Sequence, residues 1–223
     1  SSLGGFSADS QENLYAGTDA GAASDSDTCF NVAIGYKAGA SNCSYGRNVF
    51  IGNCAGRQVT SGRCNIFLGQ AGDNVTTGSF NIAIGNDTGG SATTSTGEYN
   101  ISFGDYAACC LTSGLANISI GYHAGRRVKN GDDNIFMGRY TGCATSGDNN
   151  IFLGCRAGCK STSGSQNLAL GTLAMGACDV TGTGNIALGC QAGLKVTSGN
   201  KNIFIGHDVA LNCAITGNYN FIF

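Results

Sequence analysis

The chain has no proline and no tryptophan, only two methionines and two histidines, and just 12% of its 223 residues are charged. An average domain of this size would carry roughly 11 prolines and be about a quarter charged. What charge there is nearly cancels, with 12 Lys+Arg against 14 Asp+Glu. A net charge of -2 gives no basic footprint for nucleic acid and no polybasic patch for a membrane surface. No run approaches the ~18 apolar residues of a membrane span, so membrane insertion is not expected, and the start lacks the charged-then-apolar order of a secretion signal. An opening of Ser1-Ser2-Leu3-Gly4 without Met reads as a processed or excised piece.

Glycine fills the gap, with 37 residues where roughly 16 would be ordinary. In a helix each costs about 1 kcal/mol relative to Ala, so long helices are excluded across most of the chain. Collagen is excluded too, because it needs Gly at every third position with abundant Pro. A β-rich, glycine-punctuated chain remains, able to grow without a single compact core.

The sequence repeats. The unit N-h-x-h-G, with h apolar, starts at Asn13, Asn31, Asn48, Asn65, Asn81, Asn100, Asn117, Asn134, Asn150, Asn167, Asn185 and Asn202, and begins again at Asn220, with spacings of 16 to 19 residues. The fourth residue after Asn is always glycine: Gly17, Gly35, Gly52, Gly69, Gly85, Gly104, Gly121, Gly138, Gly154, Gly171, Gly189 and Gly206. Such a column implies positive φ or close backbone contact with the next copy, at a corner. An Ala-Gly pair often follows, as in Ala38-Gly39 and Ala157-Gly158, and then a Thr/Ser-Gly turn such as Thr60-Ser61-Gly62. Seventeen residues are too few for a strand plus a packed helix, and N-I-F-L-G is strand-like. The expected fold is therefore all-β, a parallel β-solenoid of about twelve 17-residue coils over residues 13–219. Residues 1–12 read as a partial coil or joint and 220–223 as the start of a further coil. Stacking at about 4.8 Å gives a rod about 58 Å long.

The first and third residues after Asn share a face, as Val32/Ile34 and Ile66/Leu68 do, and are expected to fill the interior. The residue between them would then point outward, making Phe50, Phe67, Phe136, Phe152, Phe204 and Ile222 an apolar interface stripe. The alternative is a coil thick enough to bury that face as well. The Asn column reads either as an amide ladder or as a residue that tolerates a left-handed turn.

Asn31-Val32-Ala33-Ile34-Gly35, Asn81-Ile82-Ala83-Ile84-Gly85 and Asn185-Ile186-Ala187-Leu188-Gly189 resemble the N-x-A-I-G repeat in the head domains of trimeric autotransporter adhesins. Asn65 through Gly78 and Asn117 through Gly125 resemble the longer repeat of phage-type tail-fibre proteins. This resemblance implies a left-handed β-roll, a homotrimer, and an extracellular, cell-surface or virion-surface setting with a host-surface glycan or receptor as partner. The chain departs from both families in its cysteine content, and from the adhesin heads in its longer coils.

Twelve cysteines occur without a C-x-x-C, which argues against zinc and redox motifs. Cys143 and Cys159 lie nine residues after the Asn of adjacent coils, which makes them the best intrachain disulfide candidate. Cys155/Cys190 and Cys178/Cys213 share registers two coils apart, too far to bridge, and read as core fillers or intersubunit pairs. Sequons stand at Asn42, Asn74, Asn86, Asn100 and Asn117; the last two fall on the ladder position, and the first three in loops.

Nothing in the pattern assembles a catalytic centre, so no enzyme, cofactor or metal is expected. His123 and His207 read as solvent-facing, and acids are scattered apart from Asp132-Asp133. Arg126-Arg127-Val128-Lys129 reads as a solvated loop or a contact for an anionic glycan. The leading expectation is a fibre building block that assembles with itself, as a homotrimer or a head-to-tail polymer joined at its strand edges. Surface contacts would come from loop residues such as Tyr36, Tyr122, Tyr140 and Arg139. Ice binding or glycan binding by a β-solenoid is the alternative.

Overall fold

A computed structural model describes residues 8–43, 46–92, 94–211 and 215–223. It is all-β. Among the described residues thirteen strands run from β1 (Leu14–Ala16) to β13 (Phe221–Ile222) and form one parallel sheet in which each strand pairs with the next in sequence. The register never slips: Leu14 faces Val32, Val49 faces Ile66, and Ile186 faces Ile203. Each circuit of about 17 residues contributes one three-residue strand, and turns make up the rest, so the chain is the expected β-solenoid of about twelve turns.

Two columns fix the coil spacing. The corner glycines all adopt positive φ, from +92° at Gly69 to +139° at Gly85. All but the last, Gly206, also press on the backbone of the following coil: a methyl group on Gly121 would lie 2.8 Å from the Gly138 carbonyl oxygen, and one on Gly154 would lie 2.7 Å from that of Gly171. Both reasons for glycine thus hold at the same positions.

The asparagines form the second column, and the ladder reading is the one the structure bears out. The backbone N–H of Asn117 donates to Asn100 Oδ1 at 3.0 Å, and Asn117 Nδ2 donates to the same oxygen at 3.1 Å. The backbone contact recurs at every step from Asn31 to Asn220. Asn Nδ2 also reaches forward to the end of its own coil, as from Asn48 to the Gly62 carbonyl at 3.0 Å and from Asn117 to that of Gly131 at 2.7 Å. One side chain therefore closes its circuit and joins it to the previous one.

The interior is the reverse of the expected one. Phe50, Phe67, Phe136, Phe152 and Phe204 are fully buried, while the flanking Ile51, Phe103, Met137 and Leu170 are 40 to 49% exposed. Ile222 is half-buried and packs against the same core. The proposed interface stripe is thus the hydrophobic core, and the residues assigned to the interior form the outer sheet face. Alternation gives the reason, because the central strand residue shares its side with the Asn before it and the corner Gly after it, both of which belong inside. Ala38, Ala55 and Ala157 form a second inward column, and Val59, Val128 and Val196 a third.

Glycines facing the strand make room for the rings. A methyl group on Gly56 would lie 2.6 Å from the Phe50 ring, and one on Gly193 would lie 2.8 Å from that of Phe204. At two of the small strand centres the facing residue is larger than glycine, with Ser102 matched by Ala108 and Ala169 by Met175, all buried; opposite Ala33, Ala83, Ser119 and Ala187 it stays glycine. Stacked rings add to the packing, with centroids 5.4 Å apart for Phe50–Phe67 and 5.7 Å for Phe136–Phe152.

Truncation distinguishes the two faces. Phe152→Ala is expected to cost about 3–5 kcal/mol of folding stability, and its strand neighbour Ile151→Ala, 38% exposed, less than about 1.5 kcal/mol in the isolated chain. Denaturant titration of both variants checks this, and equal losses would return the phenylalanines to the surface.

Candidate functional site

Two surfaces carry chemistry. The first is the outer sheet face. The residues one and three places after Asn, from Val32 and Ile34 to Ile203 and Ile205, are apolar in every strand and half-exposed or exposed. They form a ribbon two residues wide along a sheet about 58 Å long.

The second surface arises from backbone conformation. The residue before each Asn and the residue two places after many corner glycines sit at positive φ, between 57° and 60° at Phe30, Phe80, Tyr99, Tyr106, His123, Tyr140 and Arg156. These left-handed positions can turn side chains outward. Along the first column Phe30 is 55% exposed and Phe80 stacks on Tyr99 with centroids 5.0 Å apart. Phe30, Phe80, Arg47 and Arg63 line a groove of about 450 Å³, with Arg63 over the Phe80 ring.

The second column is richer. Tyr106, His123 and Tyr140 stack in consecutive coils, with His123 4.9 Å from the first ring and 5.1 Å from the second. Tyr122 packs against His123 at 4.2 Å. Arg139 and Arg156 each place a guanidinium 5.9 Å from the Tyr140 ring centre. Beside this stack lies a groove of about 540 Å³ whose lining includes His123, Arg126, Arg127 and Lys160, with Asp179 as the acid at its edge.

His123 is therefore no solvent-facing loop residue. It is 9% exposed, and its Nδ1 has no hydrogen-bond partner among the described residues. Burial, and then the Arg126 charge, lower its pKa. His207 is exposed as expected and lies 3.0 Å from the Asp208 carboxylate. Of the basic run, Val128 belongs to the core and Arg126 is half-buried, so only part of it is a solvated loop. Tyr36, Tyr122 and Arg139 are exposed and Tyr140 is half-buried; Tyr122, Tyr140 and Arg139 meet in this cluster, whereas Tyr36 sits many coils away beside Lys37.

Cys143 and Cys159 meet as the register requires, with sulfurs 3.4 Å apart, but both are free thiols. The contact between them, reinforced by Arg156 and Lys160, pulls Cys159 down to about 7, while its partner is pushed up. Cys155 and Cys190 are half-buried thiols on the outward residue after the corner glycine; Cys178 is also a free thiol, and Cys213 falls outside the described residues. Of the sequons, Asn42 is buried along with the ladder residues Asn100 and Asn117, Asn74 is hydrogen-bonded to Gln58 and Ser91, and Asn86 is exposed. The turn threonines spend their hydroxyls on the next coil, as Thr112 does on the Lys129 carbonyl at 2.8 Å. Among the described residues no group of three or more His, Cys, Asp or Glu is placed to hold a metal ion.

No family model, curated protein or solved structure matches this chain.

The depressed His123 pKa has a defined consequence for stability. The unfolded chain takes up the proton first, near the ordinary value of 6.5, so this residue costs nothing above that pH and destabilises the fold as the pH drops below it. The melting temperature is expected to decline between pH 6.5 and about 5, above the range of ordinary carboxylates. His123→Gln should flatten part of that slope in a pH series of thermal melts, and an unchanged slope would remove His123 as its cause.

Proposed function

We propose that this chain is a non-enzymatic building block of an extracellular or surface fibre, and that it assembles with copies of itself, three around one axis, through the outer face of its sheet. The observation that carries this reading is the ribbon of half-exposed Val, Ile, Leu, Met and Phe running the length of the solenoid. Its span, about 58 Å by about 10 Å, reaches the upper end of what single-chain proteins leave open, and it is uninterrupted by charge.

A second copy is the occupant this face suits best. Every strand offers the same pair of apolar residues at the same spacing, so the ridges of one copy fall between those of another along the whole rod. A partner of different shape would match only part of it. Burying a Val, Ile or Leu side chain is worth about 1.5–3 kcal/mol when complete, so many half-exposed residues acting together suffice for association. The resemblance to the N-x-A-I-G and tail-fibre repeats supports a trimer and a surface setting. Ile51, Phe103 and Leu170 thus take over the part first given to the phenylalanine stripe.

Sedimentation is expected to give a species near three times 22.5 kDa. Replacing Phe103 and Leu170 by Lys, at sites 49% and 46% exposed, should reduce it to a single chain with unchanged circular dichroism. A wild-type chain that stays monomeric at micromolar concentration would end this reading, and long filaments would transfer the assembly to the ends of the rod.

A further inference from the structure

We propose that the groove beside the Tyr106–His123–Tyr140 stack is a binding site for an oxyanion-bearing saccharide, with Arg126, Arg127, Lys160 and His123 as donors and Tyr140 as the platform for the sugar ring. This goes beyond assembly, because the groove follows the corner glycines whereas the apolar face precedes them.

Four observations carry it. First, the groove holds about 540 Å³, within the range of small-molecule sites. Second, it contains buried donors without partners. His123 Nδ1 and Arg126 Nε are both buried and have no hydrogen-bond partner among the described residues. Leaving a buried polar group unpaired costs about 1–3 kcal/mol, so two beside one groove mark a place where a ligand oxygen would recover that cost.

Third, charge is concentrated there against the balance of the chain. Six of the 12 Lys+Arg lie between Arg126 and Lys160, while the acids of that stretch, Asp132, Asp133 and Asp148, sit just before Asn134 and Asn150 on a different part of the circuit. Asp179 is the one carboxylate on the groove. Fourth, the tyrosines favour a sugar over a bare anion. Tyr140 lines the groove, and Tyr122, 44% exposed, stands edge-on to it with centroids 5.5 Å apart, so the groove offers an apolar ring and a hydroxyl together. Stacking at the coil spacing holds the platform before any ligand arrives, so little entropy is lost on binding.

The oxyanion can be a sulfate ester or a uronate carboxylate, and calorimetric titration of the full chain separates them. The probes are a sulfated disaccharide, a uronic-acid disaccharide, the neutral parent disaccharide and inorganic sulfate. One or both acidic disaccharides are expected to bind, and the neutral parent is not. Arg127→Ala and Lys160→Ala should each weaken binding at least about tenfold, the loss of one charge-assisted hydrogen bond, while thermal melts confirm that both variants fold. The His123 ring nitrogen resonances should shift on titration, which a purely structural histidine would not show. Equal binding of the neutral sugar, wild-type affinity in both variants, or no binding at all would overturn the site. Inorganic sulfate or a single-stranded oligonucleotide binding as tightly as the acidic sugars would overturn its assignment to a saccharide.

Discussion

The approach of one coil to the next at the corner glycines is the constraint on which the rest depends. Even a methyl group there would press into the carbonyl of the following turn, and the φ near +130° at most of these positions admits essentially only glycine. Backbone spacing is thus set by backbone contact and not by side-chain size. The Asn ladder can form only because that spacing is constant, since each amide oxygen must reach the backbone N–H of the next Asn at about 3 Å throughout. Length variation is absorbed elsewhere. The coil from Asn81 to Asn100 carries 19 residues, yet the strand register on either side is unbroken. The slack lies in the last turn, where Ser95 takes the inward place opposite Val75 that Val59 fills in a shorter coil.

Inside that frame the core is narrow. One side chain per strand points inward, and at Phe50, Phe67, Phe136 and Phe152 the ring leaves room only for glycine opposite it in the same coil, whereas Ser102 and Ala169 admit Ala108 and Met175. Close packing leaves no room for a side chain opposite those four rings. Outward positions are released from the rule, and they differ in character. The strand face stays apolar in every coil, whereas the left-handed positions carry Glu, Phe, Arg, Tyr, His and Gln in turn.

Much of the architecture could be read from the sequence because the repeat carries it. The Asn spacing and the corner glycines specify strand, turn and stacking without further information, and the common place of Cys143 and Cys159 in adjacent coils predicts their proximity. The inversion of the sheet faces was also within reach. An Asn buried in a ladder shares its parity with the second residue after it, so accepting the ladder commits Phe67 and Phe136 to the interior. What misled was the size of phenylalanine beside the aliphatic pairs, since size alone does not say which face of a three-residue strand is covered. The groove was less legible. Arg126 and Arg127 stood out as a cluster, but His123 lies one turn from Tyr106 and Tyr140 only because equivalent places in successive coils stack, and its unpartnered nitrogen has no sequence signal.

A solenoid separates its tasks by how often each feature repeats. Glycine and asparagine recur in every coil because the backbone demands them there. The apolar pair recurs as strictly, yet the single chain leaves it half-exposed; packing on the same residues of the neighbouring strands favours β-branched side chains there but does not cover them. Such regularity on an open face is what the proposed assembly would use, because another copy of the same rod has an equally regular surface. The stack of Tyr106, His123, Tyr140 and Arg156 has the opposite character: it occupies four consecutive coils, concentrates positive charge in a chain that is slightly negative, and leaves buried donors unpaired. A uniform partner could not use a feature so local. Lateral assembly through the apolar face would leave the groove free, because the corner glycines turn the chain between the two surfaces, so one rod can be joined to its copies along its length and still address a discrete ligand.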